Sequence, residues 1–159
     1  MNRRELLAVI GGAAALAPFG ATAQPGLPVI GYLSQRSAEA ETPLRTGFLD
    51  GLEQRGFVVG RNVAIEYRFS EGSVDRLPSL AAELIGLPAA LLVATGVPAA
   101  VAAQKATATI PIVFGIGGDP VQIGLVASFN RPGGNATGVY AFGAGYFDPR
   151  PSRARACAA

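Results

Sequence analysis

Short apolar runs and segments with helical spacing alternate along the central part of the chain. The runs at residues 28–33, 89–94 and 110–116 are almost continuously apolar, which is typical of strands buried on both faces of a sheet. Residues 62–69 instead alternate apolar and polar positions, which predicts a strand at the edge of a sheet with one face towards solvent. A run at residues 135–141 completes a set of five predicted strands.

The first predicted helix has clear boundary signals. Thr42 fits an N-cap, Pro43 fits the first helical position and Gly56 fits the C-terminal cap. Gly47 and Gly51, four residues apart inside this helix, have two interpretations. They either let the helix lie close to a sheet or are tolerated glycines on its exposed face.

Three further helices are predicted between the later strands. Residues 75–85 carry leucines at helical spacing, and residues 98–106 form an alanine-rich segment that begins with proline. The fourth helix begins with Asp119 as its N-cap and has Gln122 at the third position, which is a capping-box signature. We expect it to end before Pro132.

The order of these elements predicts the fold class. Strict alternation of strands and helices is typical of an α/β fold with a parallel sheet and helices on both faces. An edge strand second in the sequence, with buried first, third and fourth strands, fits the flavodoxin-like strand order 2-1-3-4-5. In this fold Ile30, Phe48 and Val113 are expected to point inward, where truncation is most damaging.

Sheets of this kind bind ligands beyond the carboxyl ends of their strands. The loops after the first, third and fourth strands therefore supply the candidate ligand-binding residues, which are Ser34, Gln35, Thr95, Gly96, Gly117, Gly118 and Asp119. Free backbone N–H groups at the start of the fourth helix suit a ligand carboxylate. The alternative is that the loops are ordinary connections, and the Asp119 side chain is better explained as a helix cap.

The composition removes most catalytic and metal-binding possibilities. The 159 residues include one Cys and no His, so the commonest metal ligand and the usual general base at neutral pH are missing. A single Cys provides neither a disulfide framework nor a thiolate zinc site. We therefore predict no catalytic residue, metal or cofactor, and the chain is not expected to be an enzyme.

The distribution of charge argues against a nucleic-acid partner. The chain has 13 basic and 11 acidic residues, but residues 24–140 hold eight basic and nine acidic ones. The positive excess thus lies at the two ends. Since nucleic-acid binding requires a basic patch on the folded body, no nucleic-acid partner is expected.

The N-terminus has the order of a secretory signal peptide. Arg3 and Arg4 precede an apolar stretch at residues 6–17, and the small residues Ala21 and Ala23 follow it. We predict a signal peptide over residues 1–23, cleavage after Ala23 and export by the general secretory or the twin-arginine route. The alternative is a buried N-terminal helix, but the stretch shows no amphipathic period.

Four phrases of the chain resemble one protein family. They are PVIGYLS at residues 28–34, the run from GLEQRGF to AAELI at residues 51–85, VATG at residues 93–96, and IPIVFGIGGDPVQIGLVASFNRPGGNATGV at residues 110–139. Together they look like the N-terminal half of the substrate-binding proteins of ABC importers for small organic solutes. The similar branch includes the tryptophan- and tyrosine-type binding proteins.

This resemblance implies a receptor with two α/β lobes that close on a ligand, of which residues 24–140 supply the first lobe. The implied partners are a small-molecule solute, with amino-acid-like compounds among the candidates, and the membrane permease of the importer. The implied location is the periplasm.

Residues 141–159 lack apolar periodicity and do not resemble the family. We expect an irregular tail there, and a receptor that is incomplete because of a premature end or a shifted reading frame. A natural short tail is the alternative.

A second class of function shares the predicted architecture. It is a small exported flavodoxin-like enzyme or a nucleotide-binding regulator. The predicted signal peptide and the missing histidine count against this class, and tight binding of FMN or a nucleotide would favour it.

Overall fold

A computed structural model describes residues 26–141 and 155–157. The predicted signal peptide at residues 1–23 lies outside the described residues, as do residues 142–154 and 158–159 of the predicted tail. Within the described part, none of the helices has the length and apolar character needed to cross a bilayer.

The described elements alternate as the sequence predicts. The strands are β1 (Val29–Ser34), β2 (Ala64–Phe69), β3 (Ala89–Thr95), β4 (Ile112–Ile116), β5 (Ala136–Tyr140) and β6 (Arg155–Cys157). The helices are α1 (Thr42–Gln54), α2 (Leu77–Ile85), α3 (Val97–Ala106) and α4 (Pro120–Ile123), and a 3₁₀ turn at Val74–Arg76 leads into α2.

The strands form one sheet with the order β2-β1-β3-β4-β5-β6. The first five strands are parallel, which confirms the flavodoxin-like order 2-1-3-4-5 and the position of β2 at an edge. Arg155–Cys157 differ from the irregular tail that the sequence suggests, because they form β6 and pair antiparallel with β5.

Two apolar clusters hold helices on opposite faces of the sheet. On one face α2 and α3 cover a cluster that includes Leu33, Leu84 and Phe114, each at most 1% exposed. On the other face α1 packs on a smaller cluster built around Tyr32. Burial of apolar side chains on both faces is what a parallel sheet of this length requires.

Burial of two predicted core positions is lower than expected. Ile30 is buried, but Phe48 and Val113 are only half-buried, and α1 has no buried residue. Phe48 packs on the cluster that β1, β2 and β3 form, whereas Val113 lies on β4, further from α1. On the same face of β5, Val139 is 38% exposed. Truncation at Phe48 or Val113 therefore removes fewer contacts than the sequence suggests.

The start of α1 differs from the prediction by one residue. Its N-cap is Glu41, and Thr42 is the first helical residue. The Thr42 hydroxyl donates to the carbonyl oxygen of Ala38 at 3.1 Å, so it does not cap the helix. Gly56 follows the end of the helix with a φ of +83°, which confirms its role in ending α1.

The two glycines inside α1 lie on its exposed face. A Cβ atom added at Gly47 or Gly51 would meet nothing within 4 Å. Close approach to the sheet is therefore not the reason for these glycines, and the second interpretation is the correct one.

Helix α4 is much shorter than predicted. It contains four residues, and Gly124 follows it with a φ of +84°, a left-handed conformation that ends a helix. The next two residues, Leu125 and Val126, are buried in the core. The Gln104 side chain donates to the carbonyl oxygen of Leu125 at 3.0 Å and holds this non-helical segment.

Candidate functional site

The carboxyl ends of the central strands lie side by side at one edge of the sheet. Ser34 of β1 pairs in register with Phe69 of β2 and with Thr95 of β3, and Thr95 pairs with Gly115 of β4. The loops that follow these strands therefore meet at one end of the molecule. In parallel α/β sheets this is the end where ligands bind.

An open cavity of about 440 Å³ lies between the loops after β1 and β2. Its lining residues are Gln35, Arg36, Ser37, Ala40, Glu71 and Gly72. Hydrogen bonds connect the two loops: the N–H of Gly72 donates to the carbonyl oxygen of Gln35 at 2.8 Å, and the Ser70 hydroxyl donates to the same oxygen at 3.2 Å. The two walls of the cavity are thus held against each other.

Two residues of opposite charge line this cavity, one on each of its two loops. Arg36 follows β1 and Glu71 follows β2, and both are exposed. Among the described residues the salt bridges join Arg68 to Glu66 and to Glu83, so Arg36 and Glu71 remain available to a ligand. Glu71 has a φ of +54°, a left-handed conformation that costs an L-residue about 1 kcal/mol.

The candidate residues of the β1 loop differ in accessibility. Ser34 is fully buried, and its hydroxyl accepts the N–H of Arg36 at 3.1 Å, so it shapes the turn. Gln35 is half-buried, lines the cavity and lies over Gly96, where an added Cβ would meet the Gln35 Cδ at 2.9 Å. Gly96 also has a φ of +88°, a left-handed conformation that favours a glycine there.

A buried polar cluster lies behind the cavity. The Tyr32 hydroxyl donates to Glu41 Oε1 at 2.8 Å, and Glu41 is completely buried. Thr95 Oγ1 is buried without a well-formed hydrogen bond, although it lies close enough to the Tyr32 hydroxyl to oppose the rise of that group's pKa. Candidate residue Thr95 therefore belongs to this cluster and not to the cavity lining.

Burial raises the pKa of Tyr32 well above its usual range, and the neighbouring Glu41 carboxylate raises it further. The neutral phenol is thus the form that the folded state prefers. Its contribution to stability is complete below the unfolded pKa of about 10 and is lost as the pH rises towards the folded value.

We expect the free energy of unfolding to fall above pH 10 and to fall less in Tyr32→Phe. One pH unit above the unfolded pKa, the contribution of this one group decreases by about 1.4 kcal/mol. Burial also raises the pKa of Tyr67, so the variant keeps part of the effect. Urea unfolding at pH 8 and pH 11 measures it, and an equal loss in both proteins would contradict the assignment to Tyr32.

The loop after β4 offers less to a ligand than expected. Asp119 Oδ1 accepts the N–H of Val121 at 2.8 Å and of Gln122 at 3.3 Å, which confirms Asp119 as the N-cap of α4. These N–H groups are therefore not free for a ligand carboxylate, and the four-residue helix adds little dipole. Gly117 and Gly118 lie in the same loop, and neither lines the cavity.

Sequence reasoning missed one wall of the cavity. It considered the loops after β1, β3 and β4 but not the loop after the edge strand β2, which carries Glu71 and Gly72. A signal was available, since a charged residue and a glycine lie two and three residues after a predicted strand end. Ser37 and Ala40 were missed because only the folded loop brings them into the lining of the same cavity as Gly72.

These features define a class of protein. The chain is a parallel α/β lobe with an open, charged cavity at its strand ends, and its described residues contain no cluster of three or more potential metal ligands. Ligand sites of parallel α/β folds lie at this end of the sheet. More specifically, residues 28–143 match the family model described as ABC transporter substrate binding protein, so the chain belongs to that family.

Relatives of known structure have the same fold. The chain is 32% identical to the ligand-free, open structure of CD0873, a substrate binding protein with adhesive properties from Clostridium difficile, with a TM-score of 0.69. It is 30% identical to the ABC domain in complex with L-Trp from Streptococcus pneumonia, with a TM-score of 0.68. These matches cover 74% and 73% of this chain.

A curated relative is the tyrosine-binding protein of Clostridioides difficile (strain R20291), which is 35% identical over 94 residues, or 59% of this chain. The aligned part is 27% of that relative's length. The matched parts of the two solved structures are 40% and 39% of their chains. This chain therefore spans well under half the length of the relatives it matches.

Proposed function

We propose that the chain is the solute-binding component of an ABC-type importer and that its solute is a small amino acid-like zwitterion. The observation that carries this proposal is the pair of free opposite charges, Arg36 and Glu71, on the two walls of the 440 Å³ cavity. A guanidinium matches a carboxylate, and a carboxylate matches an ammonium group. A zwitterion satisfies both side chains at once.

The remaining lining suits the rest of such a ligand. Gln35 and Ser37 add an amide and a hydroxyl beside the charges, and Ala40 and Gly72 leave space for a side chain. The named ligands of two relatives, tyrosine and L-Trp, belong to this chemical class. Gln35, Thr95 and Gly96 keep a proposed role in shaping the site.

The proposal includes export and a membrane partner. Members of this family typically act outside the cytoplasm, and the signal-like residues 1–23 support export to the periplasm. The partner proposed there is the permease of the importer. The family is one of substrate-binding proteins.

Charge-matched ligands provide the test. L-Tryptophan carries both charges, indole-3-propionate lacks the ammonium group, and tryptamine lacks the carboxylate. In NMR titrations we expect Arg36→Ala and Glu71→Ala each to weaken L-tryptophan binding about tenfold, the equivalent of one charge-assisted hydrogen bond. Arg36→Ala should not change tryptamine binding, and Glu71→Ala should not change indole-3-propionate binding.

Arg55→Ala serves as the matched control, because Arg55 is an exposed arginine beyond the opposite end of α1. It should leave all three affinities unchanged. Equal losses for all three ligands in the Arg36 and Glu71 variants would contradict recognition of a zwitterion by this pair.

A further inference from the structure

Glu41 is a completely buried carboxylate at the point where the β1 loop enters α1. Its Oε1 accepts a hydrogen bond from the Tyr32 hydroxyl at 2.8 Å. Its Oε2 is also buried and has no hydrogen-bond partner. Among the described salt bridges none includes Glu41.

Stability does not explain a glutamate at this position. Removing a carboxylate from water without a cation and with one oxygen unpaired is unfavourable. Replacing the Glu41 carboxylate and the Tyr32 hydroxyl together by apolar groups of similar size would avoid this cost. The position therefore calls for an explanation other than core packing.

The contacts of Glu41 connect the cavity wall to the rigid sheet. Tyr32 lies on the central strand β1 and is 1% exposed. The N–H of Glu41 donates to the carbonyl oxygen of Ser37 at 3.0 Å, and the N–H of Ala40 donates to the Ser37 hydroxyl at 3.2 Å. Ser37 and Ala40 both line the cavity. Glu41 thus connects this wall by hydrogen bonds to the Tyr32 hydroxyl in the core.

We propose that Glu41 is a positioning residue, which accepts the Tyr32 hydroxyl and so holds residues 35–40 in the conformation that forms one wall of the cavity. Glu41 itself is too deeply buried to contact a ligand. The part of this inference that concerns ligand affinity rests on the proposed function, whereas the part that concerns the loop does not.

The decisive variant removes both polar groups together. Tyr32→Phe/Glu41→Met removes the buried carboxylate together with the hydroxyl that it accepts, so its melting temperature should equal or exceed that of the wild type. Backbone ¹⁵N order parameters of residues 37–40 should nevertheless fall from about 0.85 to below about 0.6, because the loop has lost its attachment. L-Tryptophan affinity should weaken at least fivefold.

Two single variants complete the experiment. Glu41→Gln keeps an oxygen that accepts the Tyr32 hydroxyl, so it should restore the order parameters and the affinity of the wild type. Glu39→Met changes an exposed glutamate of the same loop and should alter neither.

The outcomes separate this inference from the proposed function. Order parameters that stay near 0.85 in the double variant would overturn the positioning role. A lower melting temperature with motion spread over the whole domain would also overturn it, since that is the result of a structural role alone. If the wild type fails to bind L-tryptophan, the proposed function fails, and the order parameters still decide the role of Glu41.

Discussion

Replacing Phe114 with alanine should destabilise the domain by about 3–5 kcal/mol, the usual cost of truncating a buried aromatic side chain. Phe114 lies on the central strand β4, is 1% exposed and belongs to the larger apolar cluster beneath α2 and α3. Since a domain of this size has a total stability of about 5–15 kcal/mol, much of it would be lost. Thermal unfolding followed by circular dichroism measures the effect.

The matched control is Phe57→Ala. Phe57 is 47% exposed in the connection after α1, so its truncation should change stability by no more than about 0.5 kcal/mol. Similar melting temperatures for the two variants would show that the core lies elsewhere.

Replacing Gly138 with valine should separate β5 from β4. Gly138 is in register with Phe114, and a Cβ at this position would lie 2.6 Å from Phe114 Cδ2 and 2.8 Å from its carbonyl carbon. Because the obstacle includes backbone, it cannot move without breaking the hydrogen bonds between the strands. We expect a loss of about 3 kcal/mol or more, at the upper end of overpacking effects.

Gly115→Ala is the control for this prediction. Gly115 is also a strand glycine of the same sheet, but an added Cβ would meet nothing within 4 Å. Its substitution should leave the urea midpoint unchanged or raise it slightly. If Gly138→Val is as stable as Gly115→Ala, the pairing of β4 with β5 is wrong.

The strand order could be predicted because the sequence pattern of each strand shows whether it is central or at an edge, and the boundaries between elements are clear. Continuous apolar runs identify the buried strands, the alternating pattern of β2 identifies the edge, and Pro and Gly residues separate the elements. Helix α4 was overpredicted because Asp119 and Pro120 gave a strong start signal, whereas the end depends on Gly124. The left-handed conformation of that glycine is not apparent from the spacing of apolar and polar residues in the sequence.

The burial of individual residues could be predicted less well. Phe48 has the spacing of an inward position on α1, but it packs against the smaller apolar cluster without becoming fully buried in it. Glu41 shows the opposite error. A glutamate at a helix start is normally exposed, and only the tertiary contact with Tyr32 explains its burial.

The candidate site was predicted in location but not in composition. The rule that ligands bind beyond strand ends led to Gln35, which does line the cavity, and the cap role of Asp119 was recognised from its position. Glu71 was missed because the loop after the edge strand β2 was not considered, although the predicted strand order places β2 beside β1. The pairing of these two strands brings Glu71 close to Gln35, which lies 36 residues earlier in the chain.

A ¹⁵N NMR titration of the 159-residue chain with L-tryptophan tests the central claim most directly. We predict saturable shifts in residues 35–40 and 70–72 and at Gly96, with an affinity in the millimolar range because an open cavity leaves its hydrogen bonds in competition with water. Absence of saturable shifts, or shifts confined to residues 57–59 at the other end of the sheet, would contradict the assignment of a zwitterion-binding site to this cavity.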